Sequence, residues 1–137
     1  MSTTLRNLSI AFAAGAVGAV ANSVVVWVVG QAGITAAVGV AMAPHLSAAW
    51  LYPRIVWGGM WGFLFLLKFP RGGPIIRGLV FSLAPSLFLL LYVFPEIQGK
   101  GWLGISLGAL TPVFELFYNA VWGISAALWL RAVRSGP

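Results

Sequence analysis

The side-chain chemistry open to this chain is narrow. In 137 residues it has one histidine, two glutamates, no aspartate and no cysteine. Without cysteine there is no disulfide, no thiolate nucleophile and no iron–sulfur ligation. His45 sits between Pro44 and Leu46 with no second histidine, aspartate or cysteine to complete a metal site. One imidazole also cannot supply two axial haem ligands. A Ser-His-Asp triad lacks its acid, and a glutamate would have to replace it. Gly99-Lys100-Gly101 is a turn that carries a charge, not a phosphate loop, and there is no dinucleotide fingerprint. The expectation is therefore a protein without catalysis, resident cofactor or metal.

What remains is a layer of polar residues in or beside long apolar runs: Asn22, Ser86, Asn119, Glu115 and Arg54. At a rise of 1.5 Å per residue, Asn22, Ser86 and Asn119 lie about 10–12 Å below the outer ends of their runs. Glu115 is one turn above Asn119 on the same helix face, and Arg54 begins the second run at a similar height. An ionisable group within a span is a functional-site hypothesis whose partner should be named. For Glu115 the partner is Arg54, met directly or through one water. Two readings are open. In one, the layer is packing: Asn22 and Asn119 bond across helices, and Arg54 and Glu115 fix helix ends. In the other, the layer lines a cavity.

The elements that would position these residues follow from composition. Hydrophobic residues make up 61% of the chain and charged residues 7%, against about 25% charged in a soluble domain. So few charges cannot cover a water-exposed surface, which points to lipid as the surrounding medium. Four apolar runs stand out, at about residues 8–29, 50–69, 75–94 and 112–133. Each approaches the roughly 20 residues that a span requires. The predicted fold is a single all-α domain, a bundle of four transmembrane helices. Pro53, Pro74 and Pro112 read as helix starts, where a missing N–H costs nothing. Pro85 falls inside the third run and should kink it. Ala19-Val20-Ala21 resembles a signal-peptidase site, but the apolar run continues to Val29, so a retained first helix is expected.

Basic residues set the expected orientation. Arg6, Lys68, Arg71, Arg77, Arg131 and Arg134 fall on one side, and Arg54 and Lys100 on the other. The positive-inside rule then places both termini and the middle loop in the cytoplasm. The net charge of +6 is dispersed between apolar runs and forms no basic stretch suited to nucleic acid. Trp50, Tyr52, Trp102 and Trp129 cluster near run ends, as interfacial anchors do. The two outer connections, 31–52 and 96–111, are nearly uncharged. Each accommodates either a short interfacial helix or a re-entrant segment.

Small and polar residues recur at four-residue spacing in every run. Ala14, Gly18 and Asn22 lie in the first, Gly58 and Gly62 in the second, Gly78, Ser82 and Ser86 in the third, and Glu115, Asn119, Gly123 and Ala127 in the fourth. Helices in lipid associate by close packing at such positions, so Gly18, Gly58, Gly62, Ser82 and Gly123 should face other helices, while Phe88 and Leu91 should face outward. A weak internal repeat is also visible. Arg6-Asn7-Leu8 and Arg77-Gly78-Leu79 open the first and third runs, and Val-Trp-Gly recurs at Val56 and Val121. It suggests two hairpins of like orientation.

The second run carries Trp57-Gly58-Gly59-Met60-Trp61-Gly62. In that stretch and in its layout, the first half of the chain resembles uncharacterised small bacterial inner-membrane proteins of four spans. The resemblance implies the bacterial inner membrane and no particular activity. The motifs of small multidrug exporters, fluoride channels and the tryptophan-rich sterol-binding family are missing. The leading expectation is a small non-catalytic subunit in contact with lipid, packed against a larger respiratory or photosynthetic type of assembly or against copies of itself. The rival is a small homo-oligomeric transporter or channel that uses the polar layer.

Overall fold

The computed structural model describes residues 2–135. Among the described residues the chain is entirely helical, with no strand. Helix α1 runs Thr3–Gln31, α2 is one turn at Ile34–Ala37, α3 spans Ala48–Trp61, α4 Pro74–Phe88 and α5 Thr111–Arg134. A 3-10 segment, Gly62–Leu66, prolongs α3, and a π-helical segment, Leu89–Ile97, prolongs α4. Three helices are long and apolar enough to cross a membrane: Thr3–Gln31, Pro74–Ile97 and Thr111–Arg134. Their surfaces are rich in large apolar side chains such as Val24, Leu83 and Phe117. Such a surface suits contact with a lipid bilayer.

Helix boundaries depart from the sequence expectation where prolines are concerned. Pro53 does not start α3. It lies in the second turn, and the helix begins at Ala48 with Ser47 as its cap, the Ser47 hydroxyl accepting from the Trp50 amide at 3.2 Å. That bond satisfies one orphan donor at the helix end, and Pro53 then forgoes one intrahelical bond farther in. Pro74 and Pro112 do occupy first-turn positions. The third run, read as ending at residue 94 just before Pro95, continues instead: the π-helical segment carries the helix past Pro95 to Ile97. Pro85 removes the N–H that the Phe81 carbonyl would accept, and four residues later the backbone widens into the π form.

Helix α1 is the centre of the assembly. It packs on one side against α3 and on the other against α5, and α5 in turn packs against α4. Two contacts are close enough to exclude any side chain. Gly15 of α1 faces Gly58 and Gly62 of α3, where a Cβ on Gly62 would press on the Ala11 carbonyl and stand 2.9 Å from the Gly15 Cα. Gly78 of α4 faces Gly123 of α5, where a Cβ on Gly78 would stand 2.6 Å from the Gly123 carbonyl carbon. Gly18 meets the Trp122 side chain, and Ser82 stands against Gly123. Small residues at these points let the backbones approach, which is the main source of helix association in lipid. Phe88 and Leu91 are exposed.

The end of the bundle that carries Ser2 and Arg134 is tightly filled, and is called the terminal end below. Phe65 meets Phe81 edge-on, with ring centroids 5.0 Å apart, and lies 6.0 Å from Trp122. Ala14, Ala126, Ala127 and Leu130 complete this core. Arg77 covers it, donating to the Leu67 carbonyl and, at 3.3 Å, to the Phe65 carbonyl. These are carbonyls that the end of the 3-10 segment leaves free.

At the opposite end, the two long connections meet each other, and this is called the capped end. Neither is a regular interfacial helix. The first has the single turn α2 followed by irregular backbone, and the second a short 3-10 stretch, Trp102–Leu107. The Ala41 amide donates to the Leu107 carbonyl at 2.9 Å, and Thr35 Oγ1 donates to the Met42 carbonyl at 2.8 Å. Val40 and Thr35 are buried, so the weakly polar composition of these connections reflects contact between them.

Candidate functional site

Between the filled core and the cap, α3 and α4 stand apart. Their backbones pack far less closely than those of α1 with α3 or of α4 with α5; their side chains bridge the gap through Phe88, whose ring lies 6.3 Å from Trp57 and 5.6 Å from Trp61. Behind this bridge is a cavity of about 520 Å³, within the range of small-molecule sites. Trp57, Trp61, Phe88 and Tyr92 form its walls. Trp57 is 52% exposed and Tyr92 48%, so the cavity opens sideways between the two helices toward the surrounding medium. Leu89, Tyr92, Val93 and Ile97, all on the π-helical segment, line its α4 side. π-Helical turns recur at functional sites because they displace side chains from the α register.

The floor of the cavity is polar, and α1, α3 and α5 supply it. Asn22, Arg54, Glu115 and Asn119 all line it. Asn22 is the hub: its Nδ2 donates to the Tyr118 carbonyl at 2.6 Å, and its Oδ1 accepts from an Arg54 terminal nitrogen. Arg54 Nε donates to Ser23 Oγ at 2.9 Å, and the guanidinium lies 4.5 Å from the centroid of the Trp50 ring. Two hydrogen bonds and an aromatic face hold this cation in place. Trp122 closes the cavity on the core side, its indole N–H donating to the Gly15 carbonyl at 3.0 Å. It belongs both to the cavity lining and to the dry core.

Glu115 stands differently. It is 8% exposed and lines the cavity, and among the described residues no hydrogen bond reaches its carboxylate. The expected pairing with Arg54 is not made: Arg54 spends its bonds on Asn22 and Ser23, and no salt bridge joins the two residues. The direct Asn22–Asn119 bond is not made either. Asn22 reaches the main chain of Tyr118 instead, and Asn119 Nδ2 is buried without a partner. An unpartnered polar group in an apolar surrounding is costly.

Ser86 is not in the site. Its hydroxyl turns back onto its own helix and donates to the Ser82 carbonyl at 2.8 Å, a local bond always open to serine in a helix. Depth arithmetic places a residue at a level but does not aim its side chain. Ser23, the second acceptor for Arg54, was not singled out by sequence, although its adjacency to Asn22 is a signal in retrospect. Of the aromatic walls, Trp57 and Trp61 are read from sequence only as neighbours of glycine and Tyr92 not at all, and Phe88, expected to face outward, instead bridges to Trp57 and Trp61 while remaining partly exposed. His45 is exposed in the irregular part of the first connection, and among the described residues no cluster of acids, histidines or cysteines could hold a metal. No protein-family model, curated protein or solved structure matches the chain.

Proposed function

We propose that this chain is a small non-catalytic integral membrane protein of four crossings that receives a bilayer-borne amphiphile in the cavity between α3 and α4. The single observation that carries the reading is the buried Glu115 carboxylate, free of protein bonds, at the floor of an aromatic-walled cavity with a lateral opening. A pocket that opens sideways, with an apolar rim and a polar floor, fits a molecule with a polar head and an apolar body. The fourth crossing is α3 with its 3-10 extension, 14 and 5 residues. Together they are about 31 Å long, close to the thickness of the hydrocarbon core.

Six of the eight basic residues lie near the terminal end, which supports a cytoplasmic location for both termini. The resemblance to small bacterial inner-membrane proteins supports the inner membrane. The two hairpins repeat one device, since the glycine of each Val-Trp-Gly, Gly58 and Gly123, makes the close approach within its own hairpin. That supports duplication.

A second reading is an accessory subunit of a larger membrane assembly or a homo-oligomer. The exposed Trp57, Phe88 and Tyr92 favour it, because a helix from a neighbour could cover them. Native mass spectrometry from lipid nanodiscs separates the two readings. A single protein chain carrying one amphiphile adduct is expected. An adduct-free chain seen only in complexes with other subunits would favour the second reading. Cysteine placed at Ser2 or Ser135 should resist labelling from outside intact cells.

A further inference from the structure

The cavity holds two charges of opposite sign that attract across its floor but make no direct salt bridge. Arg54 is anchored at the floor by Asn22 and Ser23, and its remaining donors are unclaimed by protein acceptors. Glu115 lines the same floor, and among the described residues its carboxylate makes no hydrogen bond or salt bridge. Opposite charges in an apolar site normally pair, because each unpaired charge carries a large desolvation cost. Here Arg54 is held by α1 and Glu115 is carried by α5, and the space between their elements is left open. A ligand that carries both an anionic and a cationic group could satisfy both residues at once.

Resting on the amphiphile reading above, we infer that the cavity selects a zwitterionic phospholipid headgroup, its phosphate on Arg54 and its ammonium on Glu115. Guanidinium is well matched to phosphate oxygens. Carboxylate accepts from an ammonium in a charge-assisted bond, and the faces of Trp57, Trp61 and Tyr92 add favourable surroundings for a cation. The lateral opening past the exposed Trp57 and Tyr92 leaves the acyl chains in the bilayer. Charge content therefore sets the head, and the opening sets the tail.

The test is lipid retention by the full chain, read by native mass spectrometry with three probes: dioleoyl phosphatidylethanolamine, dioleoyl phosphatidylglycerol and soluble phosphoethanolamine. The first and second share a phosphate and chains but differ in the ammonium, and the third lacks chains. Retention of a single phosphatidylethanolamine about tenfold above phosphatidylglycerol is expected, the loss of one charge-assisted bond, with no retention of the soluble probe. Glu115→Gln should remove the preference, and Arg54→Gln should weaken both lipids. Equal retention of both lipids by the unaltered protein, or an unchanged preference in Glu115→Gln, overturns the headgroup assignment and leaves the amphiphile reading standing. Retention of soluble phosphoethanolamine as strongly as the lipid overturns the lipid source. Val93→Trp fills the cavity from the α4 side. If it retains phosphatidylethanolamine as the unaltered protein does, the lipid sits elsewhere and both readings fall.

Discussion

At the terminal end, α1, the 3-10 segment, α4 and α5 close on one another through Phe65, Phe81, Trp122 and Leu130. Toward the cap, α1, α3, α4 with its π-helical extension and α5 leave about 520 Å³ between them, with charges at its floor. The surrounding medium does not account for this difference, since both ends expose comparable apolar side chains. Backbone does. Near the terminal end, glycine meets glycine at Gly15–Gly62 and Gly78–Gly123, and the rings that fill the remaining space are large. Nearer the cap, Pro53 and Pro85 each remove an intrahelical bond, and α4 loosens into the π form beside the cavity. One end is built to exclude everything, and the other keeps room for something.

The strongest way to break this contrast is to attack the tight end at its backbone. Gly62→Leu would drive a side chain into the Ala11 carbonyl and the Gly15 main chain. No flexible group can move aside there, so loss of the monodisperse folded protein in size-exclusion chromatography is expected. Gly73→Leu is the control, because a Cβ on Gly73 meets nothing within 4 Å. If Gly62→Leu folds as well as Gly73→Leu, the glycine contacts do not hold the bundle.

A smaller effect comes from removing one ring at each end. Phe65→Ala deletes a buried ring that packs on Phe81 and Trp122 and should cost about 3 kcal/mol in unfolding experiments. Trp57→Ala removes a larger side chain, but one that is half exposed beside an existing space. It should cost well under half as much, while weakening amphiphile retention. Equal losses at the two positions would mean that the region beside the cavity is packed as densely as the terminal end.

These two regions were not equally legible in the sequence. An all-helical chain with long apolar runs could be read directly, because lipid demands continuous apolar residues and internally satisfied backbone. Glycine contacts were legible at Gly18, Gly58, Gly62 and Gly123 from their spacing. Gly15 was not, because α1 is central and presents a second face to α3 that four-residue spacing from Ala14 passes over. The second run, begun at about residue 50, lies within a turn of the observed start at Ala48, but Pro53 does not mark that start: Ser47, a weaker signal, makes the cap. Among the polar residues, four of the five come to one cavity. The fifth, Ser86, satisfies itself locally. Spacing along a helix fixes height and face, but a cavity depends on how far apart two helices stand, and no periodicity carries that distance.

The smallest expected effect is also the most discriminating, because its sign separates two accounts of Glu115. If Glu115 were the partner of Arg54, Glu115→Gln would break an ion pair and strand a cation, and stability would fall. The observed bonding gives the opposite expectation. Arg54 keeps Asn22 and Ser23 whatever occupies position 115, and the carboxylate itself has no donor to lose. Replacing it by a neutral amide of the same shape removes a buried charge whose desolvation cost outweighs the attraction from Arg54 across the floor. Thermal unfolding in detergent, without added lipid, should therefore show no fall and a small rise in Tm. Glu96→Gln, at an exposed position, should leave Tm unchanged. With bound phosphatidylethanolamine the order should reverse, since the unaltered protein then gains a bond that the variant lacks and is stabilised more by the same lipid. A fall in Tm for Glu115→Gln without lipid would show that the carboxylate is already paired in the empty protein, and the contrast between a closed end and an open one would lose its charged floor.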